Sequence, residues 1–396
     1  MSIAKQLLLT GKRNYHKSPS FFRWLLWPVR FMFRLFGVLR LDLWIIAGNE
    51  ISSGRKLSII FAGHEVNRNY IEQLAFNDPC RQKYVGKKWL WKIPEAVKQN
   101  GNGCALAITE APKFFRVLSK KRKCLYVPIW INGAIDIPSY IKADNYKKDL
   151  RRIRKNKLHV EVTKDLSQIH DFYHNMYVPY IATAHGSRAI ITSYNSMKRE
   201  FKKRNSSNEL FLIKKDRDLI AGIVLLRTKD RARFWCRGVK DGNLDYLKYG
   251  VSGALYYFVA QYLEAKGFKM IGCGGSRSFL KDGVLQFKKH RGMRIVNSSD
   301  MDFLVEPLSM TSGLMGFLSN NPVTYRDKNK LNGALFVASD QHICSEDYTK
   351  IYKEYFLHGL SKLVIYRFGE ADKKMADIVP PEYSDKITVC SAGDIF

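Results

Sequence analysis

A segment punctuated by glycines, between Gly250 and Gly292, constrains this chain more than any other part of its sequence. It reads as a helix opened by glycine, then a short apolar strand that runs out into Gly274–Arg277, and then the closing run Phe287–Lys289. A helix that opens at glycine leaves unpaired N–H groups in its first turn, and these can hold a phosphate or a developing oxyanion. We therefore expect the chemistry of this protein to lie in this segment.

The charge balance limits the kind of partner that the chain can have. Its 396 residues contain 66 Lys and Arg against 36 Asp and Glu, a net charge of +30. This excess indicates an anionic partner, which could be a bilayer, a nucleic acid or a phosphate-rich cofactor. The seven scattered cysteines include no Cys-x-x-Cys pair, so they indicate neither a disulfide framework nor a zinc site, and we expect a cytoplasmic protein without a metal.

The N-terminal region has the pattern of a helix that lies at a membrane surface. Phe21–Phe36 is almost wholly apolar and aromatic, except for Arg23, Arg30 and Arg34, whose spacing places all three on one helical stripe. Such a helix is typical of the headgroup plane of an anionic bilayer. We predict that residues 1–48 hold the protein peripherally on the inner face of the cell membrane. The alternative is a helix buried against the body of the protein.

Composition divides the rest of the chain into three zones. We expect a first α/β domain over residues 49–138, a central domain over 139–320 and a C-terminal α/β region over 321–396 that packs on the first domain. A basic stretch over 142–157 leads into the central zone. It is either a solvated helix face or a contact for phosphates or headgroups.

The central zone has the clearest order of elements. Hydrophobic periodicity predicts two helices, three strands in an antiparallel meander, one further helix that Ser252 caps and Gly267 ends, and a last strand. The predicted ranges are 166–177 and 193–203 for the first helices, 210–214, 219–227 and 232–238 for the meander, 252–267 for the glycine-led helix and 268–273 for the last strand.

This order of elements resembles the acyltransferase fold of the GNAT superfamily, and its Fem-type branch in particular. The resemblance covers about residues 140–300 and is carried by Ala265–Gly267, the Gly274–Gly275 pair and the closure from Phe287–Lys288 to Gly292. It implies an α/β (α+β) fold, with a GNAT-like mixed sheet core flanked by helices. It also implies a second layer from the terminal zones, either a degenerate GNAT-like copy or a small α/β layer.

The resemblance further implies an acyltransferase without a tightly bound cofactor, with acyl-CoA or aminoacyl-tRNA as the co-substrate. The usual pyrophosphate loop of the superfamily has a basic residue before its central glycine and a small residue after it. With Gly253 as that central glycine, Gly250 replaces the basic residue and Leu255 the small one. Both donors therefore stay open.

Acyl transfer requires a nucleophile relieved of its proton and a polarised donor carbonyl. We expect Lys288 to stabilise the tetrahedral oxyanion or a phosphate, His185 to act as a general base, and Asp282 to orient an attacking amine. Each has an ordinary alternative, as a surface lysine, an incidental loop histidine or a turn aspartate.

A tyrosine hydroxyl near the start of the helix is a candidate proton donor to the leaving group. Tyr249, Tyr256 and Tyr257 all lie there, and we take Tyr257 as the catalytic candidate, with core packing as the role of the others.

The carrier of the acyl group is expected to bind to backbone amides and guanidinium groups around the helix start and the exit of the last strand. Guanidinium groups suit phosphate because their donors match its oxygens in bidentate geometry. Arg237 and Arg277 are the candidates, although either of them could instead pair with a nearby acid. The expected carrier-binding residues are Arg237, Gly250, Ser252, Gly253, Gly274, Gly275 and Arg277.

Three functions fit these observations. The first is a peripheral-membrane acyltransferase that modifies a lipid-linked or cell-surface polymer precursor, and it accounts for the charge, the N-terminal pattern and the central zone together. The second is a tRNA-dependent aminoacyl transferase. The third is a non-enzymatic module that uses the same fold to bind a membrane or a nucleic acid.

Overall fold

The computed structural model describes residues 39–396, except 78, 119–122, 187–190, 204–205, 339–340, 342 and 370–378. Most of the predicted membrane segment, with Arg23, Arg30 and Arg34, lies outside the described residues. Its last part, from Arg40, belongs to the first strand of the fold. Within the described part of the chain, no helix combines the length and the apolar character needed to cross a bilayer.

Seventeen strands run through the described residues. They are β1 (Arg40–Asn49), β2 (Lys56–Gly63), β3 (Arg81–Trp89), β4 (Leu106–Pro112), β5 (Leu125–Pro128), β6 (Ile131–Asp136), β7 (Leu158–Thr163), β8 (Glu209–Lys215), β9 (Asp218–Arg227), β10 (Ala232–Val239), β11 (Met270–Ser276), β12 (Met293–Ser298), β13 (Met301–Pro307), β14 (Val323–Asp327), β15 (Lys330–Val337), β16 (Leu363–Arg367) and β17 (Ile387–Ser391).

Twelve α-helices connect these strands in the same part of the chain. They are α1 (Glu65–Ala75), α2 (Ile93–Asn100), α3 (Phe115–Leu118), α4 (Ile137–Lys142), α5 (Asp144–Lys155), α6 (Leu166–Phe172), α7 (Val178–His185), α8 (Tyr194–Phe201), α9 (Val251–Ala265), α10 (Gly283–Lys289), α11 (Ser312–Asn320) and α12 (Ser345–Tyr355).

The strands form three mixed sheets, which confirms the expected α/β class. The orders are β3-β1-β2-β4-β13-β5 in the first sheet, β12-β6-β11-β10-β9-β8-β7 in the second and β14-β15-β16-β17 in the third. The third sheet is the small α/β layer expected from the C-terminal zone. β6 comes from the predicted first domain but joins the second sheet, and β13 comes from the predicted central domain but joins the first sheet. The predicted domain boundaries remain a prediction.

The second sheet contains the predicted meander, because β8, β9 and β10 pair antiparallel in sequence order. Helix α9 then crosses over to β11, which runs parallel to β10 but pairs with it only at Arg233 and Gly272. The two strands therefore diverge beyond this pair, toward Val239 and Ser276. Their divergence opens a wedge at the end of the sheet where α9 begins, and this wedge positions the candidate site.

Two predicted elements differ from those in the structure. The predicted strand over 125–131 breaks before Ile131 into β5 and β6, and these join different sheets. The predicted helix over 166–177 consists of α6 followed by a π-helical turn, Tyr173–Tyr177. The basic stretch over 142–157 contains the helix α5, which packs beside the start of α9.

Helix α9 is apolar on most of its circumference because protein covers it on several sides. Leu255, Val259 and Leu263 are fully buried and belong to the cluster that fills the second sheet, where Leu363 of the third sheet also packs. Burying each such side chain stabilises the fold by about 2 kcal/mol. A second buried cluster joins the first sheet to the third.

Candidate functional site

A cavity of about 560 Å³ occupies the wedge between β10, β11, the start of α9 and α10. Its lining combines apolar rings such as Phe234, Trp235 and Phe287 with cationic groups and glycine backbone. Seven of the residues predicted from the sequence line this cavity. They are Arg237, Gly250, Ser252, Gly253, Gly274, Gly275 and Lys288.

The start of α9 presents free backbone donors to the cavity. Gly250 caps the helix with φ 84°, a left-handed conformation that favours glycine, and no side chain of the described residues caps the amides of its first turn. The first helical amide that donates along the helix is that of Ala254, to the Gly250 carbonyl. In the described part of the chain, the N–H groups of residues 251–253 have no acceptor, so they form a ready site for an anion.

The prediction that Ser252 caps this helix is wrong. Gly250 takes the cap, and Ser252 lies in the first turn, where its Oγ accepts a hydrogen bond of 3.1 Å from Nη1 of Arg237. The hydroxyl thus ties the helix start to β10 instead of occupying an orphan amide. Because the Ser252 hydroxyl does not cap the helix, the amides of the first turn remain available to a ligand.

Gly253 is required by a close approach between α9 and α5. A Cβ atom there would lie 2.1 Å from Oδ1 of Asp149. That buried carboxylate accepts two bonds from Nη2 of Arg291, at 2.9 and 2.8 Å, and one of 3.2 Å from the Tyr140 hydroxyl. Arg291 therefore neutralises this carboxylate, which lies beside the start of α9.

Arg237 is aimed at the cavity by a β-bulge in β10. The register with β9 shifts between Trp235 and Arg237, and such a bulge redirects the side chains that follow it. The guanidinium donates to Ser252 and also to the Tyr180 hydroxyl, and lies 5.2 Å from the centre of the Tyr180 ring. Among the described residues, Arg237 forms no ion pair with a carboxylate, so its charge is available to an anionic ligand.

Arg152 is a second cation at the cavity, and it was not singled out from the sequence. It comes from α5, and its side chain lies against Gly250, where an added Cβ would be 3.1 Å from its Cδ. It is exposed, and within the described ranges no carboxylate pairs with it. The only signal in the sequence was its place in the basic stretch over 142–157, for which a phosphate contact stayed open.

Lys288 lies under the exit of β11 and is 5% exposed. Its Nζ donates to the Gly275 carbonyl at 2.8 Å and to Oγ of Ser276 at 3.0 Å, with a longer contact of 3.5 Å to the Gly274 carbonyl. Burial, and then the nearby charge of Arg237, lowers the pKa of Lys288 to about 8. Lys288 is therefore mostly charged near neutral pH. One of its three N–H donors makes only the long contact with the Gly274 carbonyl.

Tyr256 lines the cavity, whereas Tyr257 does not. Successive residues on a helix point about 100° apart, and Tyr257 accordingly stacks on Tyr146 of α5 at 4.4 Å and accepts a bond from Gln261. Tyr256 stacks on Phe234 at 4.2 Å. Burial raises the pKa of Tyr256, so its hydroxyl stays protonated and can donate.

The other predicted residues lie away from the cavity lining. Asp282 caps α10 by accepting bonds from the amides of Val284 and Leu285, and it does not line the cavity. Arg277 is buried between the rings of Tyr70 and Trp130, at 4.4 and 4.1 Å, and it donates a bond of 2.8 Å to Oδ1 of Asn67 on α1.

His185 ends α7, and the structure describes its backbone but not its side chain. Its predicted role as general base remains a prediction. Elsewhere in the described ranges, no group of three or more His, Cys, Asp and Glu side chains suits a metal ion.

Comparison with known proteins adds structural neighbours but no close relative. No family model matches the chain, and no curated protein matches it. Solved structures similar to it include FemX, at 11% identity over 65% of this chain and 83% of that one, with a TM-score of 0.37.

Two further neighbours are similarly distant. A tandem GNAT protein from the clavulanic acid biosynthesis pathway is 9% identical over 66% of this chain and 82% of that one, with a TM-score of 0.30. The C-terminal domain of a protein from Agrobacterium fabrum, named as a lysylphosphatidylglycerol synthetase, is 15% identical over 66% and 79%, with a TM-score of 0.32.

These neighbours are of the GNAT and Fem types that the sequence resembles. Because the TM-scores lie below 0.5, the description of the fold rests on the chain's own strand order, and the site must be argued from its own residues.

Proposed function

We propose that this protein is a GNAT-like acyltransferase, which moves an acyl or aminoacyl group from a phosphate-bearing carrier to an amine or hydroxyl. One observation carries the proposal: the amides of Ser252 and Gly253, which have no acceptor among the described residues, belong to the lining of the same cavity as Arg152, Arg237 and Lys288. Helix amides with two guanidinium groups suit a pyrophosphate or a nucleic acid phosphate. The apolar rings beside them suit the part of the carrier that bears the acyl group.

Each side chain at the cavity has a distinct role in this reaction. The nucleophile of the acceptor attacks the donor carbonyl and forms the new C–N or C–O bond, while negative charge develops on the carbonyl oxygen. The Lys288 ammonium stabilises that charge. As the bond to the carrier breaks, the Tyr256 hydroxyl donates a hydrogen bond to the departing sulfur or oxygen, which takes its proton from solvent. The proton of the nucleophile leaves to a base, for which His185 is the candidate.

The donor is tested by incubating the purified full chain with a membrane extract and either acyl-CoA or aminoacyl-tRNA. Release of free CoA or of uncharged tRNA identifies the donor. We expect one donor to be consumed by the wild type, and Arg237→Gln to reduce kcat/KM about tenfold or more because a phosphate contact is lost. Arg233→Gln is the matched control, since Arg233 is an exposed residue on the same strand outside the cavity lining.

Two results would contradict the proposal. If neither carrier is consumed or bound, the protein is a binding module that uses this fold. If Arg237→Gln and Arg233→Gln behave alike, the cavity is not the carrier site.

The finer proposal is that the acceptor is a lipid-linked or cell-surface polymer precursor, reached from the inner face of the cell membrane. The pattern of Arg23, Arg30 and Arg34 within Phe21–Phe36 and the net charge of +30 support it. Extraction of the transferred label into organic solvent, followed by chromatography, separates lipid-linked products from free amines. A label found only on water-soluble small molecules would contradict this choice of acceptor.

A further inference from the structure

One end of the first sheet carries exposed aromatic rings among lysines. β1 begins at this end, and β2, β3 and β4 finish there, because Arg40 pairs with Trp89, Asp42 pairs with Gly63, and β4 runs parallel to β2. The residues at these strand ends and just beyond them therefore share one surface. We call it the tryptophan end, made of Lys88, Trp89, Trp91, Lys92, Lys113 and Phe114.

Two large apolar side chains face solvent on the tryptophan end. Trp91 is 55% exposed and Phe114 is 58% exposed, more than any other large apolar side chain in the described residues. The Trp91 ring stacks on that of Trp89 at 5.0 Å, almost parallel at 11°, so the pair forms a rigid apolar projection. Exposed rings held in fixed positions indicate a surface that another phase or partner covers.

The lysines around these rings leave an excess of positive charge. Lys87 and Lys92 pair with Asp42 and Glu95, at 3.4 and 3.3 Å. Lys88 and Lys113 are exposed, and in the part of the chain that the structure describes neither forms an ion pair. A ring that rests in the headgroup layer, with flexible ammonium groups beside it, is typical of contact with an anionic bilayer.

The tryptophan end is also where the N-terminal segment joins the fold. Residues 1–38 precede Arg40, which lies opposite Trp89 in the register of β1 with β3. The aromatic and arginine pattern of Phe21–Phe36 is thus tethered within a few residues of the exposed rings. A segment that binds the headgroup plane would bring this end of the sheet to the same plane, and both contacts would add to membrane affinity.

We propose that the tryptophan end is a second membrane contact, which docks the folded part of the protein on an anionic lipid surface. The inference does not depend on the transfer reaction. The cations here are Lys88, Lys113 and Arg40, whose guanidinium lies 5.8 Å from the centre of the Trp89 ring. A bilayer is favoured over a nucleic acid because Phe21–Phe36, with the aromatic and arginine pattern of a headgroup-plane segment, is joined to the fold at this end.

The test is flotation of the full chain with vesicles of phosphatidylcholine containing phosphatidylglycerol, compared with vesicles of phosphatidylcholine alone. Because a basic residue near an anionic surface is worth about fivefold in affinity, Lys88→Glu with Lys113→Glu should lower the partition coefficient about twentyfold or more. Trp91→Ser with Phe114→Ser should also lower it, on both kinds of vesicle. All four side chains are exposed, so the fold should persist, which a thermal melt checks.

The matched control is Arg199→Glu with Lys202→Glu, which makes the same change in net charge at two exposed positions at the end of α8. It should reduce vesicle binding by less than threefold. If the control and the tryptophan-end variants lose binding equally, only net charge matters and the proposal is wrong. If the tryptophan-end variants keep vesicle binding but lose the electrophoretic shift of tRNA, the surface is a nucleic acid site and the proposal is equally wrong.

Discussion

The buried charge of Lys288 leads to a prediction about pH that separates its possible roles. Its pKa of about 8, against an ordinary 10.5, corresponds to about 3 kcal/mol of destabilisation of the ammonium relative to water. An oxyanion stabiliser must be charged, so kcat/KM should be level up to about pH 7.5. Above pH 8 it should fall about tenfold per pH unit, because each unit removes tenfold of the protonated form.

Two variants assign this inflection to Lys288. Lys288→Arg keeps a charge at every accessible pH, so its profile should show no fall near pH 8, although its level at pH 7 will be lower because the guanidinium fits the site differently. Lys288→Met removes the charge and should lower kcat/KM about a hundredfold at pH 7, with no inflection near pH 8. The rates are measured with the donor that the wild type consumes.

Stability gives an independent check of the same pKa. The unfolded chain keeps the Lys288 proton up to about pH 10.5 and the folded chain releases it at about pH 8, so the unfolded state binds more protons between these values. The free energy of unfolding should therefore rise with pH in this window, by about 3 kcal/mol from this group. Lys288→Met should remove that rise in urea unfolding.

A fall in kcat/KM near pH 8 that persists in Lys288→Met, or a rate that rises through pH 8, would refute the assigned role.

Three further predictions concern the start of α9. Gly253→Ala should lower the free energy of unfolding by about 1–3 kcal/mol, and with it Tm, because the added Cβ would meet Asp149. Gly283→Ala is the control, because an added Cβ there has no heavy atom within 4 Å, and its Tm should be unchanged or slightly raised. Equal effects of the two substitutions would contradict the packing argument. Asp149→Ala should lower the free energy of unfolding in urea by about 3–5 kcal/mol, because it leaves the Arg291 charge buried without its partner. A loss under 1 kcal/mol would show that the pair does not hold α5 to α9. Arg152→Gln should weaken carrier binding about fivefold at low salt and less at 0.5 M salt in titration calorimetry, and an effect independent of salt would rule out a phosphate contact.

The sequence could predict the local features of this site well. The periodicity of α9, the meander before it and the glycines on either side are all encoded within short windows, where apolar spacing and turn residues act directly. Gly250, Gly274 and Lys288 were found in this way, and all three line the cavity. Two local details failed, since Gly250 and not Ser252 caps the helix, and Tyr256 rather than Tyr257 lines the cavity.

The parts of the site that depend on distant contacts could not be predicted. Asp149 touches Gly253 across about a hundred residues of sequence, and the basic composition of α5 says nothing about which of its faces meets α9. β6 precedes the meander by a long stretch and yet pairs with β11, which no local pattern indicates. Likewise Arg277 lies two residues after the Gly274–Gly275 pair, but the rings of Tyr70 on α1 and Trp130 between β5 and β6 hold it away from the cavity lining.

The central claim is that the amides at the start of α9 bind the carrier. It is tested most directly by NMR titration of the full chain labelled with ¹⁵N-glycine, using CoA and, separately, uncharged tRNA as probes. One of the two should shift the Gly253 amide resonance in a saturable way, while the Gly267 amide, already bonded to the Glu264 carbonyl at 2.8 Å, stays in place. If either probe binds and the Gly253 resonance does not move, or if neither probe binds, the claim is wrong.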